Sequence, residues 1–352
     1  MILPALMPVL YDSERSGGIP AAVAAVSIPI PNGVEVLLLE WANVGCSDND
    51  LRNLQMTMLS GAGLYDWSRQ LYNVASSTNN AGDFVVLGNA GDADGVIQVT
   101  NGETVIFNRA GAEKVLIGKE TYYDNSAGGA ADETLGSHIA AKDRTTAGVA
   151  TTLTLAFAAG NITANSRFIL RGLRTDKAPA LGSPDICQFI GSHTFGTEAS
   201  WTSPTIPSGC SQLWLFWDGV FGDNAAGNDF ANITFNSDSG AHYDHSRKAF
   251  GTASGATNAA AYIETFIFAR TDTGNFHNSG FASISNRKGQ EKVLIGSHVL
   301  VEKGAGVNAE DILDYHNEGE WRNKEDEIST TTLTPRNSNF TEGKVWLIGL
   351  KI

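Results

Sequence analysis

The chain repeats itself. Tyr65-Asp-Trp-Ser-Arg69 returns 178 positions later as Tyr243-Asp-His-Ser-Arg247, and Glu113-Lys-Val-Leu-Ile-Gly118 returns letter for letter as Glu291-Lys-Val-Leu-Ile-Gly296 at the same offset. Ile30-Pro-Asn-Gly33 answers Ile206-Pro-Ser-Gly209, and Leu170-Arg-Gly-Leu173 answers Leu347-Ile-Gly-Leu350. Offsets of 176 to 178, held in one order along both halves, describe two copies of one domain. The length of 352 residues agrees, since single cores rarely grow so large. The expected layout is a first domain over 1–175 with a short N-terminal arm, a Pro/Gly linker over 176–187 and a second domain over 188–352.

Each copy reads as β-structure. Val34–Trp41 and Leu213–Trp217 are apolar runs suited to buried strands, and Thr151–Phe157 alternates polar with apolar residues. Ala261–Phe268, Lys292–Val301 and Val345–Ile352 follow the same pattern. Turn residues such as Asn32-Gly33, Asn101-Gly102 and Ser239-Gly240 separate them, and no stretch sustains a period of 3.6. The predicted fold class is all-β, with two tandem duplicated β-sandwich (jelly-roll-like) domains. Two segments break the pattern at the same place in each copy: Asp124–Gly148, rich in Gly and Ala, and Glu302–Ser329, rich in Asp and Glu. Both read as long loops, and the second carries Tyr315, His316 and Trp321. It is the candidate outward surface, whose replacement by a short Gly/Ser turn should leave the fold intact.

Composition narrows the function classes. Lys and Arg number 24 against 38 Asp and Glu, a net charge of −14, which argues against a nucleic-acid groove or an anionic membrane surface. The opening apolar residues lack a basic segment and are interrupted by Pro4 and Pro8, and no run approaches the length of a membrane-spanning helix. A soluble chain made in a cytoplasm is expected. Cys46, Cys187 and Cys210 form no CxxC pair, so neither a disulfide framework nor a zinc site is indicated. Buried free thiols are the expectation, with Cys187 and Cys210 the pair if two were to join.

Gly111 to Lys119 has too many residues between its glycines for a phosphate loop and reads as a strand. Asp92-Ala-Asp94-Gly95 puts Ala90 and Asn101 where a calcium loop needs Asp and Glu, so a turn is preferred. Asp223-Asn224 with Asn228-Asp229, and Asp48-Asn49-Asp50 in the other copy, could offer oxygen ligands, although turn formation accounts for them equally. His242 and His245 would point to opposite faces of a strand, which rules out a shared metal there. Asp66 with Arg69 and Asp244 with Arg247 recur in both copies and read as a structural pair or turn. No GxSxG, HExxH or motif-placed carboxylate pair is present, so no cofactor and no catalytic residue is assigned.

The run Ile233-Thr-Phe-Asn236-Ser-Asp238-Ser-Gly240-Ala-His-Tyr243 resembles a motif of tailed-bacteriophage structural proteins, in which a strand ends in an Asn-Gly-Asp-x-Gly-x-x-Tyr turn within a β-sandwich. The order of parts is similar too: Ile206-Pro207, an apolar strand, the turn, the Tyr262–Arg270 and Lys292 strands, then Asn339-Phe340 and Leu347-Ile-Gly-Leu350. Asn165–Leu173 matches that close in the first copy, whereas Ser60-Gly-Ala-Gly-Leu64 lacks the turn's Asn and Asp, and Ser237 replaces its usual glycine. The resemblance implies a non-enzymatic virion component, commonly a homotrimer, of the kind found in capsid decoration proteins, head spikes and tail fibres. With neither heptads nor a repeated shaft, a compact decoration or short head-spike protein on the virion surface fits better than a long fibre. The implied partners are further copies of the chain and other capsid or tail proteins, with no nucleic acid and no membrane insertion. The alternative is a tail-fibre or receptor-binding protein gripping host-surface glycan, with Trp67, Trp201, Trp321 and Tyr315 as stacking platforms. Tyr315, His316, Trp321, Asp223 and Asp229 are the candidate surface contacts.

Overall fold

The computed structural model describes residues 7–19, 22–48, 50–58, 65–71, 77–93, 96–124, 133–144, 148–174, 187–223, 229–249, 255–269, 276–302 and 312–351. Among these there is no helix. The strands fall into two compact units, twelve in each. The 176–187 linker lies almost wholly outside the described residues, as do the Ser60–Leu64 loop, the Asp94-Gly95 turn and the side chain of Cys187.

The first unit begins with β1 (Val9–Asp12), β2 (Ala25–Pro29), β3 (Val34–Gly45) and β4 (Arg52–Thr57). It continues through β5 (Tyr65–Leu71), β6 (Ser77–Gly82), β7 (Val85–Ala93) and β8 (Val96–Phe107). It closes with β9 (Lys114–Asp124), β10 (Glu133–Asp143), β11 (Thr152–Phe157) and β12 (Arg167–Arg174). An antiparallel sheet of order β1-β12-β3-β8-β9-β10-β5-β6 faces a smaller one of order β2-β11-β4-β7, and a short β7–β8 ladder joins the two.

The second unit contains β13 (Cys187–Thr194), β14 (Trp201–Thr202), β15 (Gln212–Gly222) and β16 (Asp229–Phe235). Next come β17 (Tyr243–Ala249), β18 (Gly255–Ala260), β19 (Ile263–Ala269) and β20 (Phe276–Ser285). It ends with β21 (Lys292–Glu302), β22 (Ile312–Trp321), β23 (Thr331–Pro335) and β24 (Phe340–Leu350). Its sheets run β13-β24-β15-β20-β21-β22-β17-β18 and β14-β23-β16-β19. This is the order of the first unit with every strand advanced by twelve, so the sequence repeat is a repeat of topology.

The correspondence extends to single residues. In β3 a bulge follows Trp41, with Asn43 at φ 52, its N–H held by the Asn101 side chain at 2.9 Å. In β15 a bulge follows Trp217, with Gly219 at φ 60, its N–H held by Ser279 at 3.0 Å. The extra residue bends each long strand as it leaves the core. Lys114 and Lys292 of the repeated hexapeptide are both fully buried. Lys114 Nζ donates to the carbonyls of Arg109 and Ala112, and Lys292 Nζ to those of Gln290 and Asn323. The hexapeptide is therefore a structural device: its lysine ties off turn carbonyls, and its Leu116 or Leu294 enters the core.

Two expectations are corrected. The supposed loops Asp124–Gly148 and Glu302–Ser329 contain β10 and β22, which are interior strands lying between β9 and β5 and between β21 and β17. Excising Glu302–Ser329 would therefore remove a central strand rather than a solvated insertion. Asp66 and Arg69 do not pair with each other, because they look across to neighbouring strands. Asp66 lies 3.6 Å from Lys142 and 3.4 Å from Arg144, while Arg69 is ion-paired with Glu120. In the second unit Asp244 faces Arg322 at 3.5 Å and Arg247 faces Glu264 at 3.5 Å.

Candidate functional site

At the centre of each sandwich a tryptophan lies across a glycine of the adjoining strand, Trp41 over Gly102 and Trp217 over Gly280. Its indole N–H needs a buried acceptor. Trp41 Nε1 donates to Thr100 Oγ1 at 3.2 Å, and Thr100 in turn donates to Glu120, which also accepts from Ser137 at 2.7 Å and pairs with Arg69. Burial pushes the Glu120 carboxyl up, against the pull of Arg69 and those hydroxyls. Trp217 Nε1 donates to Asn278 Oδ1 at 2.6 Å. His298, one repeat beyond Glu120, stacks on Tyr315 with ring centroids 5.1 Å apart and planes 8° from parallel. Burial drives the His298 imidazole down to about 3, and the Arg247 charge adds to this while the acceptor oxygen of Asn317 opposes it. The side chains of both centres are buried and hold the fold, and a groove of about 570 Å³ lined by Glu40, Trp41, Asn101, Lys119, Glu120 and Arg167 borders the first.

A groove of about 640 Å³ in the second unit is lined by Asn236, Asp238, His242 and the 321–326 segment. The turn after β16 builds one wall. Asn236 and Ser237 adopt φ of 53 and 58, the left-handed region. The Asn236 side chain donates to Glu327 O at 2.8 Å and accepts from Ser329 N at 2.7 Å and Thr330 N at 3.2 Å, fastening the return segment. Asp238 accepts from Gly240 N at 2.9 Å, His242 Nδ1 at 2.8 Å and Trp321 Nε1 at 2.8 Å. Partial burial would raise this carboxyl, but the three donors and the neighbouring His242 hold it below the usual range. The Tyr243 hydroxyl reaches back to the Asp238 carbonyl at 3.2 Å, and burial lifts its pKa to about 12.

Each residue of the Asn-x-Asp-x-Gly-x-x-Tyr run thus has a structural task. Ser237 is the exception, since a β-carbon is strained at its φ. Ser237→Gly should stabilise the protein by about 1 kcal/mol, read as a rise of a few degrees in melting temperature. No change, or a fall, would mean that the serine side chain compensates for the strain.

The five candidate contacts do not form one surface. Trp321 is fully buried, Tyr315 is 8% exposed and Asp229 is buried, so none of the three can meet a partner from outside. Trp321 is buried because its indole fills the core beside Tyr243 and Phe235, and Tyr315 because it points inward from β22 onto His298. Asp229 accepts from Phe230 N at 2.8 Å and Asn337 N at 3.1 Å. Asp223 is exposed but accepts from the backbone and side chain of Asn339 at 2.8 and 3.1 Å. The two aspartates therefore brace one turn, between β23 and β24. His316, on the outward face of β22, is half-buried beside Ser297 and Glu318. Trp67 and Trp201 are buried as well, at 6% and 7% exposure. Cys46 and Cys210 are buried free thiols. Among the described residues no three His, Cys, Asp or Glu side chains are grouped to hold a metal ion.

The sequence reading weighed His242 only as a metal ligand and did not single out Arg322 and Lys324 of the groove. Their only signal was position, since they flank the Asn-x-Asp turn and the residue that closes β22. Arg322 pairs with Asp244, and Lys324 with Glu291 at 2.9 Å. The groove therefore presents charges of both signs.

No protein-family model and no curated protein matches the chain. Among solved structures, the LG4-5 domains of the mouse laminin alpha1 chain align at 11% identity over 92% of this chain and 86% of that one, with a TM-score of 0.18. The VP2 subviral particle of infectious bursal disease virus aligns at 7% identity over 98% and 82%, with a TM-score of 0.11. At such scores neither likeness bears on family or function.

Proposed function

We propose that this chain is a non-enzymatic structural component of a phage virion surface, a homotrimer serving as a capsid decoration protein or short head spike. The observation that carries the reading is the Asn236–Tyr243 turn. Its phage-like motif is spent wholly on bracing a β-sandwich, and that sandwich occurs twice in one chain. A polar groove with charges of both signs suits contact between proteins. The acidic balance keeps such a protein clear of packaged nucleic acid.

Native mass tests the assembly. Light scattering on the purified protein should give roughly 112 kDa, three chains of 37.3 kDa, and immunogold labelling should then decorate the heads of intact particles. A monomer that labels no particle would overturn the reading. Recognition of host-surface glycan is the alternative. The burial of Trp67, Trp201, Tyr315 and Trp321 leaves it without the stacking platforms it invoked, so glycan-array binding by the isolated protein is expected to be negative.

A further inference from the structure

The repeated Lys-Val-Leu-Ile-Gly strand has two different fates on its outward face. In β9, Val115 and Ile117 are 4% and 3% exposed; in β21 their counterparts Val293 and Ile295 are 42% and 49% exposed. The neighbours explain why the second face tolerates water at its edges. Beside Val115 and Ile117 stand Phe107 and Val105 of β8 and Lys142 and Ala140 of β10, all of them buried. At the corresponding places β20 has Ser285 and Ser283, and β22 has Glu320 and Glu318. The result is an apolar stripe with a hydroxyl margin on one side and a carboxylate margin on the other. A dry centre with a polar rim is the make-up of a surface that associates without being part of a core.

The charges at its border are self-complementary. Arg287 and Lys288, in the turn joining β20 to β21, are exposed and form no ion pair among the described residues. Glu318 has only His316 beside it, at 3.7 Å. Glu320 hydrogen-bonds to Glu291, and with Glu318 and Asp244 these carboxylates outnumber the neighbouring cations Arg322 and Lys324, so the margin keeps an acidic excess. Three copies set around an axis parallel to β21 lay the β20 side of each against the β22 side of the next. That sets an unpaired basic turn against an unsatisfied acidic margin, and valine and isoleucine against their equals.

We propose that the outward face of β20–β22, centred on Val293 and Ile295, is a contact surface for a second copy of this chain; the proposal rests on the self-assembly in the reading above. Native mass across a wide concentration range tests it on the full-length protein. Val293→Lys with Ile295→Lys, at exposed positions, should keep the melting temperature and reduce the mass of the assembly. Reversing the basic turn alone (Arg287→Glu, Lys288→Glu) should weaken association, and adding Glu318→Lys with Glu320→Lys should restore it. A wild-type assembly that survives all these changes would overturn this surface while leaving self-assembly in place. A wild-type protein that stays monomeric throughout would overturn both. Loss of particle incorporation by the lysine variants of a monomeric wild type would assign the face to a different virion protein, also against the proposal.

Discussion

Gly280→Ala should destabilise the second unit by about 3 kcal/mol, the upper range for overpacking a tight core. A β-carbon there would stand 2.6 Å from the Ser297 carbonyl oxygen and 2.6 Å from Trp217 Cζ2. The carbonyl belongs to the β20–β21 ladder and cannot withdraw without breaking it. Trp217 cannot move away either, because Phe266 is stacked on its other face at 4.6 Å and Asn278 holds its nitrogen. For a domain of this size the expected fall in melting temperature is about 6–12 °C. Gly82→Ala, where an added β-carbon meets nothing within 4 Å, is the control and should move it little. Equal effects from both substitutions would show that the tryptophan–glycine crossing is slack rather than tight.

Acid should expose the second large effect. An unfolded histidine takes up its proton near pH 6.5, whereas His298 stays neutral in the folded core down to about 3. Between those values the unfolded chain binds more protons, so stability attached to this residue is complete above pH 6.5 and is lost progressively as the pH falls. By pH 4 the loss is about 3 kcal/mol. His298→Phe removes it and keeps a ring to stack on Tyr315. The variant's stability relative to wild type should therefore improve by about 3 kcal/mol between pH 7 and pH 4, measured by urea unfolding at each pH. Asp314, whose carboxyl burial holds well above its ordinary value, gains from acid but does so in both proteins and cancels from the comparison. Glu120 holds the equivalent place in the first unit with the opposite sign. Its raised carboxyl is protonated first in the folded state, so acid favours that core until the unfolded carboxylate titrates too. A pH-independent difference between His298→Phe and wild type would mean that water reaches the histidine.

The fold was legible because duplication doubles the evidence for every strand. Runs such as Val34–Trp41 and Leu213–Trp217 are apolar on both faces, and β11 keeps a strict alternation of half-buried and buried residues. Strand β22 was hidden by the chemistry of its inward side. From Tyr315 to Trp321 its buried positions are Tyr, Asn, Gly and Trp, with Asn317 donating to the Thr265 carbonyl and Gly319 packed under Ile263. Alternation is present, but not as aliphatic against polar, so an acidic outward face made it look like a loop. The same cause misplaced the site. Aromatic residues within an acidic stretch suggest a binding surface, yet on a strand of known register Tyr315 and Trp321 are the inward ones. The Asn-x-Asp turn was found from its motif. What the motif could not reveal is that each of its polar groups is consumed within the fold, because that depends on segments some ninety residues away, such as Glu327 to Thr330.

The paired crossings of Trp41 over Gly102 and Trp217 over Gly280 also carry history. Both halves share the crossing, the bulge beside it and the capped lysine, so these were in place before the gene doubled. What surrounds them has since drifted: Glu120 against His298, Thr100 against Asn278, Gly88 against Phe266. Each pair marks a position where the same scaffold holds different side chains among different neighbours. Exchanging one such residue alone restores half of an old solution among new neighbours, whereas moving a whole set transplants a working one. The two halves of this chain are thus a naturally matched experiment in how a buried polar centre can be rewritten without losing its scaffold.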